Sequence, residues 1–320
     1  MNFRPLPFLS NPHVQTILGN LLSGVPRRLR SERRIVALPD GDRLALHETP
    51  SREVAAPIVL LVHGLGGCHR SPYMQRTAAR LSALGWRVLR MDLRGAGAGM
   101  RLARRFYNAG CSQDLREVIT SVVARFPGTP LAVVGFSLGG NIVLKCAGEM
   151  GEQTPSELRG VAAVAPPIDL VRCSELIARY PLYDAFYVRH LTQQVAKHQR
   201  CFPDLPCVQF PRRLLLRTFD DLYTSPRWGF KDSLDYYSQA SSLPWIGSIR
   251  VPTFILTSRD DPFVAVEPFE QLAPAKTLEV NIANHGGHMG FLGFDGTTGI
   301  RWSESRVIDW LVGLVRAQGT

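Results

Sequence analysis

Six short runs of strand-forming residues, separated by stretches of helical period, restrict this chain more than any other feature of its sequence. They are Ile58 to Val62, Trp86 to Met91, Leu131 to Phe136, Gly160 to Ala165, Pro252 to Thr257 and Thr277 to Ile282. The first and third contain no polar side chain, as expected of strands buried on both faces. Between the runs, Tyr73 to Leu84 is amphipathic and stops at Gly85. Ser112 reads as the cap of a helix reaching about Phe126, with Asp114 in its first turn and Pro127-Gly128 ending it. Further helices are expected from Leu138 to about Met150, near Glu267 to Leu272, and from about Ser303 to Arg316. Strand, crossover helix and next strand in this rhythm predict an α/β fold with a mostly parallel central sheet and helices on both faces. Ahead of it, Arg34 to Leu38 and Arg43 to His47 flank Pro39-Asp40-Gly41-Asp42 and predict a hairpin.

Residues 171 to 250 break the rhythm, because no apolar run there is followed by a regular helical pattern and aromatics accumulate instead. Six of the eight tyrosines fall in this stretch, at 180, 183, 187, 223, 236 and 237. The expected organisation is a core formed by 1–170 and 251–320, with 1–34 as an N-terminal arm, and a cap inserted over 171–250. Such a cap would cover the C-terminal edge of the sheet, where α/β folds bind ligands.

The net charge of +10 is unevenly spread: residues 1 to 130 hold 19 Arg, no Lys and 8 acids, while the remainder has 18 basic and 19 acidic residues. An electropositive face is one reading and arginine-rich coding the other. No recognition motif accompanies the charge, so nucleic acid is not expected as a partner. Arg27, Arg28, Arg30, Arg33 and Arg34 in the arm, and Arg101, Arg104 and Arg105 near the sheet's C-terminal edge, leave peripheral contact with an anionic membrane open. No apolar run approaches the roughly 20 residues of a membrane span. The first residues lack a signal-peptide pattern, so an unprocessed, cytoplasmic chain is expected. The six cysteines show no metal-binding spacing and read as separate thiols, with a Cys201–Cys207 pair left open.

Gly135-Phe136-Ser137-Leu138-Gly139 fits G-x-S-x-G and stands where that motif has chemical meaning, after the run LAVV and before the amphipathic NIVLKCAGEM. At a sharp strand-to-helix turn the serine is strained and exposed. Residues two away on each side must be glycine because strand and helix crowd together. A serine hydroxyl needs a base, and the base needs an acid to orient it. After the last strand, Asn284-His285-Gly286-Gly287-His288 offers two histidines, of which His288 is the expected base. Ser258-Arg259-Asp260-Asp261-Pro262 follows PTFILT and supplies the acid in the order Ser, Asp, His. Asp260 is expected, since it leaves the strand first and the residue before proline is restricted, with Asp261 as the alternative. The oxyanion donors are the N–H groups of Leu138 and of Leu65 in His63-Gly64-Leu65-Gly66-Gly67. His63 reads as a residue that fixes this loop by hydrogen bonding, with Gly64, Gly135 and Gly139 as structural support.

These motifs, with Asp92-Leu93-Arg94-Gly95 after a strand, resemble the α/β-hydrolase superfamily, and specifically its YheT-like branch, the AB hydrolase 4 group. Asn11-Pro12-His13-Val14-Gln15-Thr16-Ile17 resembles that branch's N-terminal signature, as does Trp302-Ser303-Glu304 near the other end. The resemblance implies an α/β-hydrolase fold and a serine esterase, lipase or acyltransferase using Ser137, Asp260 and His288. One departure is Tyr107-Asn108, where the branch tends to carry Tyr-His.

Rival patterns fit less well. Gly95-Ala96-Gly97-Ala98-Gly99 misplaces the third glycine of a dinucleotide fingerprint and opens no helix. A metal at His285, His288, Asp260 and Asp261 would need the residues a triad already uses, so neither metal nor cofactor is expected. The function expected is hydrolysis of small-molecule or lipid esters with apolar acyl chains, acyl transfer to an alcohol being the alternative and a non-catalytic binding protein a weaker one. Oligomeric state is left open.

Overall fold

A computed structural model of the chain describes residues 3–22, 24, 29–53, 55–296 and 299–317, so Arg27 and Arg28 lie outside the described residues. The arm contains helix α1 (Pro12–Leu21), with Asn11 as its N-cap: the Asn11 side chain accepts from the N–H groups of His13 and Val14, and Pro12 occupies the first turn. Strands β1 (Glu32–Ala37) and β2 (Arg43–Thr49) then form the expected antiparallel hairpin. Alternation follows with β3 (Ile58–Val62), α2 (Pro72–Ala83), β4 (Arg87–Asp92), α3 (Ser112–Arg125), β5 (Leu131–Phe136), α4 (Leu138–Met150) and β6 (Leu158–Val164). Helix α3 starts at Ser112 itself: Cys111 holds the capping position and no side-chain cap is made there.

After β6 come α5 (Leu170–Ala178), α6 (Pro181–Cys201), α7 (Leu216–Phe219), α8 (Ser225–Trp228) and α9 (Ser233–Ala240). A π turn over Asp220–Thr224 joins α7 to α8. The alternation resumes with β7 (Thr253–Ser258), α10 (Glu267–Glu270), β8 (Leu278–Ala283) and α11 (Trp302–Ala317). The eight strands lie in the order β1-β2-β4-β3-β5-β6-β7-β8; β4 through β8 run parallel, and the hairpin joins through β2 antiparallel to β4.

The two-residue period of β3 divides the core. Ile58, Leu60 and Val62 face Leu115, Val118 and Val122 of α3 and the apolar side of α4. Val59 and Leu61 face Met74, Ala78 and Leu81 of α2 and Val307, Ile308 and Leu311 of α11. With both faces covered, the C-terminal ends of the strands are the one edge where loops can gather into a site.

The aromatic stretch between β6 and β7 contains regular helices that the sequence pattern did not suggest. Helix α6 buries Asp184, Val188, Leu191, Val195 and His198, a helical period hidden by flanking polar and aromatic residues. The helix reaches over the strand ends: Gln194 donates to the Gly66 carbonyl at 3.0 Å and His198 Nε2 meets the Ala103 carbonyl at 2.8 Å. Residues 243–248, expected within the cap, lie instead on α4, where a Cβ at Gly148 would come within 2.2 Å of the Trp245 carbonyl.

Ion pairs hold several of the early arginines, of which Arg76 and Arg104 reach acids beyond residue 130. Arg94 is buried and bonded to Asp40, Asp42 and Asp114; Arg34 and Arg87 share Glu48; Arg76 pairs with Glu304. Arg104 pairs with Asp204, and Arg105 lies over the Trp228 ring. All six cysteines are free, so Cys201 and Cys207 are not joined. No helix among the described residues is long and apolar enough to cross a membrane.

Candidate active site

Ser137 occupies the turn between β5 and α4 with φ 50° and ψ −121°, a left-handed conformation costly for a residue with a Cβ. Glycines around it make the turn possible. A Cβ at Gly135 would stand 2.3 Å from the Gly139 carbonyl oxygen, and one at Gly139 would stand 2.5 Å from the carbonyl oxygens of Val62 and His63. Gly64 has similar company, with Phe136 O and Ser137 Cβ both 3.1 Å from where its Cβ would lie. Real Cβ contacts are not made at the shorter of these distances, so only glycine lets strand, helix and the loop after β3 close on one another.

Ser137 Oγ lies 2.8 Å from His288 Nε2, and His288 Nδ1 lies 2.8 Å from Asp261 Oδ2. The expected pairing of His288 with Asp260 is corrected by this geometry. Asp260 Oδ1 accepts from the Gly287 N–H at 2.9 Å, and its other oxygen is 3.3 Å from Nδ1 of exposed His285. The restriction that Pro262 places on Asp261 is met by a turn that uses the proline. Asp261 Oδ1 accepts from the N–H groups of Phe263 (2.8 Å) and Val264 (3.0 Å), an Asx turn in which Pro262 fits and which aims Oδ2 inward.

The loop after β3 is held by side chains on all sides. His63 is fully buried, with Nδ1 2.8 Å from the Gly64 carbonyl and Nε2 accepting from Leu93 N–H at 3.2 Å; burial pushes its pKa down. It holds the loop and does not reach Ser137. Gly64 N–H donates to the Tyr73 hydroxyl, Gly66 N–H to the Tyr107 hydroxyl and Gly67 N–H to the Gly64 carbonyl. Among the described residues the N–H groups of Leu65 and Leu138 have no acceptor, and both residues line the cavity that contains Ser137 and His288. Tyr73 and Tyr107 were missed as supports; their hydroxyls bridge distant segments and left no motif.

This cavity is lined largely by apolar side chains of the stretch between β6 and β7, among them Leu170, Ile177, Tyr187, Leu191 and Phe219. Asn108, where the branch resemblance leads one to expect histidine, also lines it, and its Oδ1 accepts from Gly110 N–H at 2.6 Å. Asp220 is the buried acid of the wall: Thr224 Oγ1 and the Tyr237 hydroxyl each donate to it at 2.6 Å. Burial outweighs those bonds and raises its pKa from 3.8 to about 6.

Among the described residues, His47, His69 and Asp92 are the group with the shape of a metal site. Asp92 accepts from His69 N–H (2.6 Å) and Ala98 N–H (2.8 Å), and its Oδ2 lies 2.7 Å from His69 Nδ1 and 3.1 Å from His47 Nε2. Arg70 Nε donates to His69 Nε2, which puts the His69 proton on Nδ1, facing the carboxylate rather than leaving a lone pair for a cation. Burial alone would raise the Asp92 pKa, but the bonds from His47 and His69 prevail and hold it well below the usual carboxylate range. The group is a hydrogen-bonded anchor of the loops after β3 and β4.

Comparison with known proteins follows the geometry. Residues 57–295 match a family described as alpha/beta hydrolase fold. The Escherichia coli (strain K12) protein named "Putative esterase YheT" is 31% identical across 99% of this chain and 94% of its own. A Saccharomyces cerevisiae protein named medium-chain fatty acid ethyl ester synthase/esterase 2 is 28% identical across 81% of this chain and 62% of its own. Among solved structures, the Pyrococcus furiosus esterase Pf2001 superposes with a TM-score of 0.58 at 16% identity, covering 97% of this chain and 96% of that one, a likeness of fold.

The raised Asp220 pKa has a measurable sign. Between pH about 4 and about 6 the folded protein keeps a proton that the unfolded chain has released. The stability this group contributes is therefore complete below pH about 4 and lost as pH rises through about 6, at about 1.4 kcal/mol for each pKa unit of difference. Urea unfolding of wild type and Asp220→Asn across that window is expected to show a steeper fall with pH in the wild type; parallel curves would refute the assignment.

Proposed function

The chain belongs to the α/β-hydrolase family, on its YheT-like branch, and on that premise we propose that it hydrolyses carboxylic esters with Ser137 as nucleophile, His288 as base and Asp261 as the orienting acid. One observation carries the reading above the rest: Ser137 Oγ, 2.8 Å from His288 Nε2, lines an apolar cavity beside two unspent backbone N–H groups. Ser137 Oγ attacks the ester carbonyl carbon while His288 Nε2 takes its proton, and Asp261 accepts from Nδ1–H and stabilises the imidazolium. The carbonyl oxygen, now an anion, receives the N–H groups of Leu65 and Leu138. Collapse breaks the bond to the leaving alcohol, which takes the proton from His288. Water then enters by the same path in reverse and releases the acid.

The substrate class follows from the cavity wall. Aliphatic and aromatic side chains from α5, α6 and α7 favour an apolar acyl chain, and residues 171–250, apart from 243–248, act in this reading as the cap that keeps it from water. The same shielding supports a second reading, acyl transfer to an alcohol, since excluding water from the acyl-enzyme is all that separates the two outcomes. The printed name of the yeast relative, a synthase and esterase of fatty acid ethyl esters, points the same way. An anionic membrane surface as the place of encounter rests on exposed Arg30, Arg33 and Arg101, because Arg34 and Arg104 are paired within the chain and Arg105 stacks on Trp228.

A fluorophosphonate is expected to label the wild type and not Ser137→Ala; labelling that persists in the variant would exclude Ser137. Asp261→Asn should lower kcat by about a thousandfold or more, whereas Asp260→Asn should leave it close to wild type, and the reverse order would restore Asp260 as the acid. Assayed with p-nitrophenyl esters of rising chain length plus ethanol, the enzyme is expected to favour longer acyl chains; ethyl ester as the main product would make transfer the primary activity. Sedimentation with vesicles should increase with anionic lipid and fall with salt, and binding indifferent to both would remove the membrane from the reading.

A further inference from the structure

Helix α1 has no part in the chemistry described above, yet it is built against the loop that holds His288. Thr16 is buried in its second turn, where its Oγ1 donates to the Pro12 carbonyl at 2.8 Å and accepts from the backbone N–H of His288 at 2.9 Å. Beside it, Gln15 imitates a strand backbone: its Nε2 donates to the carbonyls of Leu9 (2.6 Å) and Leu292 (3.1 Å), and its Oε1 accepts from Leu292 N–H at 2.7 Å. The contact is backbone-close. A Cβ at Gly19 would fall 2.7 Å from Gly290 Cα, one at Gly290 would fall 2.5 Å from the Gln15 carbonyl oxygen, and one at Gly287 would fall 2.3 Å from that of Pro12.

The loop so gripped is one that would not hold its shape by itself. Gly287 (φ +54°), Met289 (φ 62°) and Phe291 (φ 41°) are all left-handed, and for the two residues with side chains that conformation persists only when surroundings impose it. The same helix also reaches the other side of His288. His13 Nδ1 is 3.1 Å from the Tyr183 hydroxyl of α6, Tyr183 packs edge-on against Phe263 with centroids 4.5 Å apart, and Phe263 packs at 5.0 Å against the His288 ring.

We propose that α1 is a clamp on the His288 loop, and that Thr16 and Gln15 are positioning residues that keep the imidazole between Ser137 and Asp261. This rests on the assignment of those three residues under Proposed function. Without the Thr16 oxygen, the His288 N–H loses its acceptor and the strained loop can relax. The ring then drifts from both partners, and a displacement near 1 Å costs about a hundredfold in rate.

The test compares wild type, Thr16→Val and Thr16→Ser by steady-state kinetics, by the rate of fluorophosphonate labelling and by Tm. Thr16→Val is expected to lower kcat and the labelling rate by about tenfold to a hundredfold with KM little changed. Thr16→Ser, which keeps the oxygen, should recover most of both. Should the valine variant not fold, Thr16→Ala removes the same oxygen without branching and serves in its place. Loss of Tm with kcat and labelling rate unchanged would reduce Thr16 to a stabilising residue and overturn the proposal, as would a serine variant no better than valine. A wild type that neither labels nor hydrolyses esters would instead overturn the functional assignment, and this inference with it.

Discussion

Three backbones meet around Ser137 at distances that leave no room for side chains, and the rest of the site is arranged around that meeting. The end of β5, the start of α4 and the loop after β3 approach within contacts that a Cβ at Gly64, Gly135 or Gly139 would obstruct. Close approach turns the serine outward in a strained conformation and brings Leu65 N–H and Leu138 N–H to one side of it. Strain of this kind survives only where the surroundings are rigid. A central sheet buried on both faces provides that rigidity.

The loops above the sheet are fixed by hydrogen bonds as well as by apolar packing. Asp92, at the end of β4, gathers His47 of β2, the backbone and ring of His69, and the N–H of Ala98 onto one carboxylate. Tyr73 and Tyr107 each use a hydroxyl to take up one amide of the Gly64–Gly67 loop, and His63 ties that loop to β4. These contacts engage the neighbouring amides, whereas among the described residues Leu65 N–H has no acceptor and Leu65 lines the cavity.

The parallel sheet, its flanking helices, the hairpin and the positions of Ser137 and His288 were legible because each rests on local pattern: apolar runs, helical period, glycine spacing and turn chemistry. Motif and strand context point to Leu65 and Leu138, which both line the cavity. The rule about residues before proline points to Asp260, but an Asx turn onto Phe263 and Val264 aims Asp261 at His288. Helix α6 went unread because its buried residues include Asp184 and His198, which no apolar count would collect. Least visible were partners far apart in sequence: Thr16 with His288, Arg94 with Asp40, Asp42 and Asp114, and Tyr73 with Gly64. The arginine excess is offset within the chain at two places, where Arg76 pairs with Glu304 and Arg104 with Asp204.

Thr16 and His288 stand 272 positions apart, and Ser137 and His288 stand 151 apart. During synthesis the helix that contacts the histidine loop leaves the ribosome first, the serine elbow after it, and the histidine last. Until that last loop arrives, the nucleophile has no base and the first helix has nothing to grip. In the proposed mechanism, a growing chain that has not yet added this loop cannot attack an ester. In that reading reactivity waits on contacts between sequence-distant segments, the kind of contact that raises contact order and slows folding.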